Sequence, residues 1–282
     1  MNRPKIQIII PVYNAEEYLR ECLDSVKAQT FTDWQAIIVD DASTDASPDI
    51  IDEYTFADER FVCIRLKNTC GVATARNVAL ENLSSEYAVF IDSDDYWECD
   101  MLEVMLDKAE KCSCDVVQCR FIYDFSGGKQ VLPKGAFRED VELHSKSLKR
   151  VFIKMMTGIN MNHVCMKLIR TQIIKDLKFD ATLKTAEDLH FCIRMFQKVE
   201  KYYFVNKALY HYRRNENSLT GKGLPFKEKF KANRNVSKEL VKALPIWGID
   251  NVFYRLLSYM RPYTITLSKI LRMFREKILS KK

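Results

Sequence analysis

The sequence predicts an α/β protein with a mostly parallel central sheet flanked by helices, followed by a helical C-terminal extension. Apolar runs of strand length alternate with helical patterns over the first ninety residues. These runs are apolar throughout, which is typical of parallel strands covered on both faces. The chain has 282 residues, of which 47% are hydrophobic and 29% charged. It can therefore bury a core without help from disulfides or a structural metal.

The first ninety residues alternate predicted strands with predicted helices. The first helix is expected to begin with Asn14 as N-cap and Glu17 three residues later, which is a capping-box pattern. The second and third helices are predicted over 47–56 and 72–83. Strands are predicted at 6–12, 36–39, 60–66 and 87–91.

Beyond residue 100 the pattern is less regular. Helices are predicted over 101–111, 145–156 and 187–198. Strands are predicted at 116–125, 164–169, 202–205 and 209–212. Gly221 and Gly223 suggest a boundary, so we expect a main domain over 1–221 and a helical extension over 222–282, broken at Pro245 and Pro262.

The charge is unevenly distributed between these two parts. The whole chain carries +6, but residues 222–282 hold 15 Lys or Arg against 4 Asp or Glu, a net of +11, which leaves −5 for the rest. Such a basic segment favours an anionic partner. The acidic body offers no matching surface for nucleic acid, so we expect none to bind.

The last part of the extension has the pattern of a basic amphipathic helix. Its basic residues Lys269, Arg272, Arg275 and Lys277 lie opposite an apolar face. That face suits an anionic membrane surface, or alternatively it packs on the main domain or on another subunit. The apolar residues are Tyr263, Leu267, Ile270, Leu271, Phe274 and Ile278.

The cysteines and the hydropathy predict a cytoplasmic protein. The nine cysteines include no Cys-x-x-Cys and follow no signal peptide, which favours reduced, mostly buried thiols. Cys112, Cys114 and Cys119 could bind metal, but they lack His at matching spacing. The most apolar stretch, near 243–259, contains Asp250 and Arg255, so a transmembrane span is not expected.

Polar clusters follow several strands, at the edge where open parallel sheets bind ligands. One is the 40–45 segment after the second strand, and another is Asp92-Ser93-Asp94-Asp95 after the fourth. Two carboxylates about 4 Å apart repel by roughly 4 kcal/mol at an effective dielectric of 20. Water or a divalent cation relieves this repulsion, so the second cluster is interpreted either as a solvated turn or as a site for Mn²⁺ or Mg²⁺.

The position of the glycines excludes several classes of nucleotide-binding protein. The first glycine is Gly71, and the turn after the first strand reads Pro11-Val12-Tyr13-Asn14. Rossmann domains, P-loops and sugar-phosphate nucleotidyltransferases need glycines in that turn, where backbone N–H groups approach phosphate. A phosphatase of the haloacid dehalogenase type is disfavoured too, because its motif follows the first strand and Tyr96 replaces the expected Thr or Val.

Five motifs in order resemble the inverting glycosyltransferases of family 2, which have the GT-A fold. The match spans residues 6 to about 220, and each motif alone is weak. The motifs are Ile8-Ile9-Ile10-Pro11-Val12-Tyr13-Asn14, Val39-Asp40-Asp41-Ala42-Ser43-Thr44-Asp45, Asn68-x-x-Gly71-x-x-x-Ala75-Arg76-Asn77, Asp92-Ser93-Asp94-Asp95 and Glu187-Asp188.

The resemblance implies a role for each motif. Tyr13 would flank the nucleotide base, Asp41 would hydrogen-bond it, and Arg76 would approach the base or the diphosphate. Asp188 would be the general base, with Glu187 beside it. The resemblance further assigns nucleotide-sugar binding to Pro11, Asn14, Asn68, Asp92, Ser93 and Asp94, and metal binding to Asp94, Asp95 and, in some relatives, a residue at the place of His211.

The implied activity is transfer of a sugar from a nucleotide-sugar to an acceptor hydroxyl, with inversion and with Mn²⁺ or Mg²⁺ as cofactor. The resemblance favours a UDP-sugar donor, a glycan or lipid-linked glycan acceptor, and a setting in bacterial surface-polysaccharide synthesis at the inner face of the cell membrane. Two alternatives stay open. The chain could be a catalytically silent nucleotide-sugar-binding or scaffold subunit, and Thr185 to Asp188 also fit an ordinary helix cap.

Overall fold

A computed structural model of the chain describes residues 3–157, 161–214 and 225–263. The strands are β1 (Ile6–Val12), β2 (Trp34–Asp40), β3 (Phe61–Arg65), β4 (Tyr87–Phe90), β5 (Tyr96–Trp97), β6 (Val116–Phe125), β7 (Gln130–Val131), β8 (Val141–His144), β9 (Lys167–Arg170) and β10 (Lys201–Arg214). The helices are α1 (Leu19–Lys27), α2 (Ser47–Ala57), α3 (Val72–Glu81), α4 (Met101–Lys111), α5 (Lys149–Thr157), α6 (Thr171–Ile174), α7 (Glu187–Phe196) and α8 (Phe226–Ala243), with a 3₁₀ turn at Ser145–Leu148 and a further helix over 252–263.

The amino-terminal half of the sheet is parallel, in the order β3-β2-β1-β4. Every residue of β1 is buried, because helices cover both faces of these apolar strands. The register pairs Val12 with Asp40, so β1 and β2 end at the same edge. This arrangement confirms the predicted fold class and brings the polar residues that follow the strands together.

The second half of the sheet is mixed. β9 lies antiparallel between β4 and β6, and β10 runs parallel to β6. The prediction of two strands at 202–205 and 209–212 is wrong, since β10 is one strand of 14 residues. Its pairing with β6 shifts register between Phe204 and Tyr210. Asn206 and Lys207 interrupt the apolar pattern there, which explains why the sequence suggested a break.

Three predicted element starts are wrong. α1 begins at Leu19, and Asn14 does not cap it: Asn14 has a φ of 47°, and its Oδ1 accepts the N–H of Thr44 at 2.8 Å. A contact with the neighbouring loop has replaced the local cap. The strand predicted at 164–169 begins only at Lys167, and the predicted 145–156 helix starts as the 3₁₀ turn.

The described part of the extension packs on the main domain. α8 contacts α7 and buries Val236 and Leu240. In the helix over 252–263, Arg261 Nη1 donates to the carbonyl oxygens of Met155 and Met156 at 3.2 and 2.9 Å. Pro245 follows the end of α8 as predicted, and Pro262 lies one residue before the last described residue of the helix over 252–263. Gly221, Gly223 and the predicted amphipathic face beyond Tyr263 lie outside the described residues.

Among the described helices, none is both long and apolar enough to cross a bilayer. All nine cysteines are free thiols, and five of them are buried. Cys112, Cys114 and Cys119 form no metal cluster with other ligand side chains in the described ranges.

Candidate functional site

The loops after β1 and β2 interlock at the carboxyl edge of the sheet. The N–H of Asn14 donates to Ser43 Oγ at 3.1 Å, and the N–H of Ala15 donates to Ser47 Oγ at 2.8 Å. Pro11 is buried within β1, whereas the neighbouring Tyr13 is 50% exposed. The framework therefore presents Tyr13, a predicted base-flanking residue, to solvent at the edge where a ligand is expected.

Asp41 fixes the start of α3. Its Oδ1 accepts the N–H of Cys70 at 2.7 Å and its Oδ2 accepts the N–H of Gly71 at 2.8 Å. Gly71 has a φ of +89°, a conformation that favours glycine, so the 68–71 loop can turn here. Asn68 is exposed in the same loop. The predicted contact of Asp41 with a base stays a prediction, and it would have to use the lone pairs that these two amides leave free.

Arg76 joins the two acidic motifs that the sequence singled out. It is only 3% exposed, and its Nη2 donates to Asp92 Oδ1 at 2.8 Å. Its Nη1 donates to Asp188 Oδ1 at 2.6 Å and to Glu187 Oε1 at 3.3 Å. The Phe179 ring lies 5.3 Å from the guanidinium. One buried cation thus holds in a single cluster three carboxylates from two segments of the chain, at Asp92 and at Glu187 and Asp188.

Burial and mutual repulsion shift the pKa values of two carboxyls in this region. Burial, with the Asp188 charge adding to it, raises the pKa of Glu187 to about 7. Burial, with the Asp92 charge adding to it, raises the pKa of Asp94 to about 6. Perturbed carboxyls gathered at a sheet edge are characteristic of functional sites.

Asp94 and Asp95 differ in how they are partnered. Asp95 is buried, its Oδ1 accepts the N–H of Arg213 at 2.8 Å, and its Oδ2 accepts the Tyr210 hydroxyl. The Asp94 carboxylate accepts its own backbone N–H but makes no hydrogen bond or ion pair with another described residue, and Ser93 beside it is partly buried. Asp94 is therefore better placed than Asp95 to accept a cation as the structure stands.

His211 lies between two carboxylates. Its Nδ1 is 2.9 Å from Asp124 Oδ2 and its Nε2 is 2.9 Å from Glu98 Oε1, while its ring stacks on Tyr96 at 4.2 Å. Both ring nitrogens are occupied, so metal binding by His211 would first require one of these contacts to break. Across the described ranges, no three His, Cys, Asp or Glu side chains form a preformed metal site.

The sequence left open whether Thr185 to Asp188, at the start of α7, cap the helix or act in catalysis. The N-cap is Ala186 with a φ of 62°, and no side chain caps the helix, so the predicted Thr185 cap is wrong. Glu187 and Asp188 instead face Arg76. These two carboxylates therefore bind Arg76 and do not cap the helix.

Three contributors escaped the sequence reasoning. The N–H of Val164 donates to Asp188 Oδ2 at 3.4 Å, and Phe179 stacks on Phe191 with ring centroids 4.0 Å apart. Lys167 is fully buried and donates its Nζ to the carbonyl of His163, one residue before Val164. The sequence offered one signal for these contributors, which was a lysine inside an apolar predicted strand. A backbone N–H donor such as that of Val164 cannot be identified from residue type.

Comparisons with known proteins identify the family of this chain. The sequence model of the family described as Glycosyl transferase family 2 matches residues 7–178, more than half of the chain. The chain is 32% identical to "Glycosyltransferase GlyA" of Streptococcus pneumoniae over 77% of its own length and 31% of that protein. It is 31% identical to "Putative teichuronic acid biosynthesis glycosyltransferase TuaG" of Bacillus subtilis, over 77% of this chain and 82% of the relative.

A solved structure shares the fold. The complex of Staphylococcus aureus TarS 1–349 with UDP-GlcNAc aligns with a TM-score of 0.71 and 25% identity, covering 83% of this chain and 66% of that one. This likeness confirms the predicted GT-A fold. The chain spans less than two thirds of the length of several curated relatives, 31% for GlyA and 64% for "Uncharacterized glycosyltransferase EpsJ" of Bacillus subtilis. With the motifs, the site and the family match in agreement, this chain belongs to glycosyl transferase family 2.

Proposed function

We propose that this glycosyltransferase moves a sugar from a UDP-sugar to an acceptor hydroxyl with inversion, assisted by Mn²⁺ or Mg²⁺, in the synthesis of a bacterial surface polysaccharide. The observation that carries the proposal is the Arg76 cluster. It ties Asp92, in the motif expected to hold the donor, to Glu187 and Asp188, which are expected to activate the acceptor. A transferase needs these two functions side by side, because its two substrates must meet.

The residues of the cluster would divide the reaction between them. The acceptor oxygen attacks the anomeric carbon, the bond from that carbon to the diphosphate oxygen breaks, and Asp188 receives the hydroxyl proton. A free hydroxyl is a far weaker acid than a carboxyl, so the proton transfers late, as the new bond forms. Arg76 and the N–H of Val164 hold the two Asp188 oxygens and so fix the orientation of the base.

Glu187 competes with Asp188 for the role of base. A general base works best when its pKa lies near the operating pH, and the pKa of Glu187 is raised to about 7 by burial and by Asp188. Asp188 has the firmer contact with Arg76, at 2.6 Å against 3.3 Å for Glu187. We assign the base to Asp188, and separate Asp188→Asn and Glu187→Gln variants test the assignment.

The donor set fits a divalent cation at Asp94. A half-buried carboxylate with a raised pKa and no described partner beyond its own N–H would be stabilised in its charged form by Mg²⁺ or Mn²⁺. Such cations are commonly held by one or two carboxylates together with substrate phosphates. When bound, the cation would neutralise charge that develops on the departing diphosphate.

The relatives support the donor and the setting. The TarS structures contain UDP or UDP-GlcNAc, which favours a UDP-sugar and transfer of a hexosyl or N-acetylhexosaminyl group here. The relatives include a poly(ribitol-phosphate) β-glucosyltransferase and a putative teichuronic acid biosynthesis glycosyltransferase. We infer that the acceptor of this chain is also a glycan or polyol polymer of the cell surface, free or lipid-linked.

A thermal-shift panel tests the proposal. UDP, UDP-GlcNAc and GDP-mannose are each added with Mn²⁺, with Mg²⁺ or with EDTA. A ligand at 100 times its dissociation constant stabilises a protein by about 2.7 kcal/mol, so binding is readily measured. We expect a metal-dependent shift with the UDP species, and none of that size with GDP-mannose. Absence of a shift with every nucleotide, metal present, would overturn the proposed donor chemistry.

The alternative of a silent scaffold subunit is distinguished by one variant. Asp188→Asn should abolish sugar transfer while leaving the UDP-induced shift intact, because Asp188 would act on the acceptor. A scaffold would show a donor shift and no transfer in the unmodified chain either. The gathering of Asp92, Glu187 and Asp188 around one buried arginine argues against a scaffold, which needs no such cluster.

We also propose that the extension contacts an anionic membrane surface. In the helix over 252–263, Val252, Phe253, Leu256, Tyr259 and Tyr263 are between 55% and 83% exposed. They recur at helical spacing and form one apolar face, within a segment that carries +11. Leu256→Gln with Tyr259→Gln should reduce sedimentation with phosphatidylglycerol vesicles. Unchanged sedimentation, or a change of oligomeric state instead, would contradict a membrane role.

A further inference from the structure

A second concave site lies away from the Arg76 cluster. It is a cavity of about 640 Å³ between the 134–141 segment, α5 and the middle of the sheet. This volume lies in the range of small-molecule sites. Five cations and one carboxylate are among its described lining residues. The charged lining consists of Arg120, Lys134, Arg138, Arg150, Lys154 and Glu139.

Three arginines of this basic cavity, Arg120, Arg138 and Arg150, have no carboxylate partner among the described residues. Arg120 donates to Asn206 Oδ1 at 3.2 Å and to the Pro133 carbonyl at 2.8 Å, both uncharged acceptors. Its Nε is buried and has no hydrogen-bond partner. Within the described ranges, neither Arg138 nor Arg150 forms an ion pair with a carboxylate. The cavity therefore has an excess of positive charge.

Local packing keeps these charges close together. Arg150 and Lys154 are one helical turn apart on α5, and both lie against the Phe137 ring, at 5.1 and 4.7 Å from its centroid. Burial and the Arg150 charge lower the pKa of Lys154. An added methyl group at Gly135 would come within 3.2 Å of Arg120 Nε, so glycine lets the chain cover that arginine closely. A bound anion would relieve the repulsion that this packing creates.

We propose that the basic cavity binds an anionic portion of the acceptor glycan, bearing phosphate or carboxylate groups, away from the hydroxyl that reacts. The proposal rests on the function proposed above. Cations on three separate elements can pair with more than one anionic group, and arginine binds phosphate and carboxylate through paired N–H donors.

One strand, β6, runs from the cavity to the contact with His211. Arg120 precedes Asp124, which contacts His211, by four residues on β6, about 13 Å along a strand. A lipid headgroup is the other source of phosphate. The concave shape favours a discrete chain over a bilayer surface, because the aromatic residue in the cavity, Phe137, is itself buried rather than available for insertion.

Binding of defined oligosaccharides to the full chain tests the proposal. The probes are a galacturonic acid hexamer, a glycerol phosphate oligomer and the neutral maltohexaose. The variant is the double substitution Arg150→Gln and Lys154→Gln. The control, Lys146→Gln with Lys149→Gln, removes the same charge from neighbouring exposed positions that do not line the cavity. Titrations are made at low ionic strength, where charge pairing is least screened.

We expect the cavity variant to lose at least about tenfold in affinity for an anionic oligomer, and the control to retain it. Equal affinity in the wild type and the variant, or an equal loss in the control, would overturn the proposal. If the cavity variant lost binding to phosphatidylglycerol vesicles but kept its affinity for the oligomers, the cavity would be assigned to lipid binding instead. The UDP shift is measured on the same samples, so failure of the donor assignment is recognised separately.

Discussion

Two acidic clusters follow strands of the same sheet, and their carboxylates have opposite environments. After β2, the side chains of Asp40, Asp41 and Asp45 accept backbone N–H groups, at 2.7 to 3.0 Å. After β4, Asp92 depends on the distant Arg76, and Asp94 has no described partner beyond its own N–H. Backbone N–H groups hold all three carboxylates of the first cluster, whereas among the described contacts of the second cluster's carboxylates only Asp95 accepts a backbone N–H from another residue, that of Arg213.

The pKa values record this difference. Burial acts to raise the pKa of Asp45, but hydrogen bonds from Ser47 and from the Glu16 N–H outweigh it, and the pKa stays below its ordinary value. At Asp94 and Asp95 burial and neighbouring carboxylates raise the pKa instead. Acidic residues after a strand therefore do not identify a ligand site by themselves.

The largest effect on stability is expected from substituting Arg76, the cation that pairs with Asp92 of the second cluster. Arg76→Met would leave three partly buried carboxylates without compensation, and breaking a buried ion pair costs about 3–5 kcal/mol. Urea denaturation of the ligand-free protein measures the loss. Arg20→Met is the control, because Arg20 makes a similar two-pronged contact with Glu53 at the exposed surface and should change stability little. Equal losses of stability in the two variants would contradict the conclusion that Arg76 compensates the charge of the three carboxylates.

Part of the pH dependence of stability should come from Glu187 in the Arg76 cluster. The pKa of Glu187 rises from 4.5 in the unfolded chain to about 7 in the folded one, through burial and Asp188. The folded state then binds the extra proton between these values, so Glu187 lowers stability as pH rises from about 4.5 to 7. The full contribution is up to about 3 kcal/mol. Glu187→Gln should remove this slope from a denaturation series, and an unchanged slope would assign it elsewhere.

Much of this organisation was predictable, and the limits have a physical cause. β1, α4 and β6 have the bounds that the sequence predicted, because each is a long periodic or apolar segment. The motif residues Asp92, Glu187 and Asp188 were predicted one by one. Their joining by Arg76 was not, since 111 and 112 residues separate Arg76 from Glu187 and Asp188. The basic cavity was missed for the same reason, as its cations come from separate elements.

Substituting Asp41 tests the first cluster. Asp41→Asn replaces one acceptor oxygen by an amide donor that faces a backbone N–H, which should cost about 1–3 kcal/mol. Asp33→Asn is a matched control at an exposed position and should stay within about 0.5 kcal/mol. Both are measured by urea denaturation. A neutral Asp41→Asn would mean that the 68–71 loop is held by other contacts.

The same substitution in the second cluster should have the opposite sign. Asp94→Asn removes a charge that burial and Asp92 disfavour, so the ligand-free protein should gain stability, by about 1 kcal/mol. The gain should be accompanied by loss of the metal-dependent UDP shift, if Asp94 holds the cation. A destabilised Asp94→Asn variant would show that the two clusters do not differ as described.

The smallest effect on stability is expected at Tyr13, where a substitution should change ligand binding without changing stability. Its ring is half exposed, so Tyr13→Ala should change the free energy of unfolding by less than about 0.5 kcal/mol. Stacking on a base is worth about 1–3 kcal/mol, so the affinity for UDP should fall about five- to 150-fold. Phe56→Ala, at a 96% exposed position on α2, is the control and should alter neither quantity. The framework of the first cluster would then serve to present one aromatic ring to the donor, while the second cluster carries the charge chemistry. Unchanged UDP affinity in Tyr13→Ala would instead mean that the base is recognised at Asp41. Because substituting Asp41 also changes stability, its effect on binding could not be measured separately.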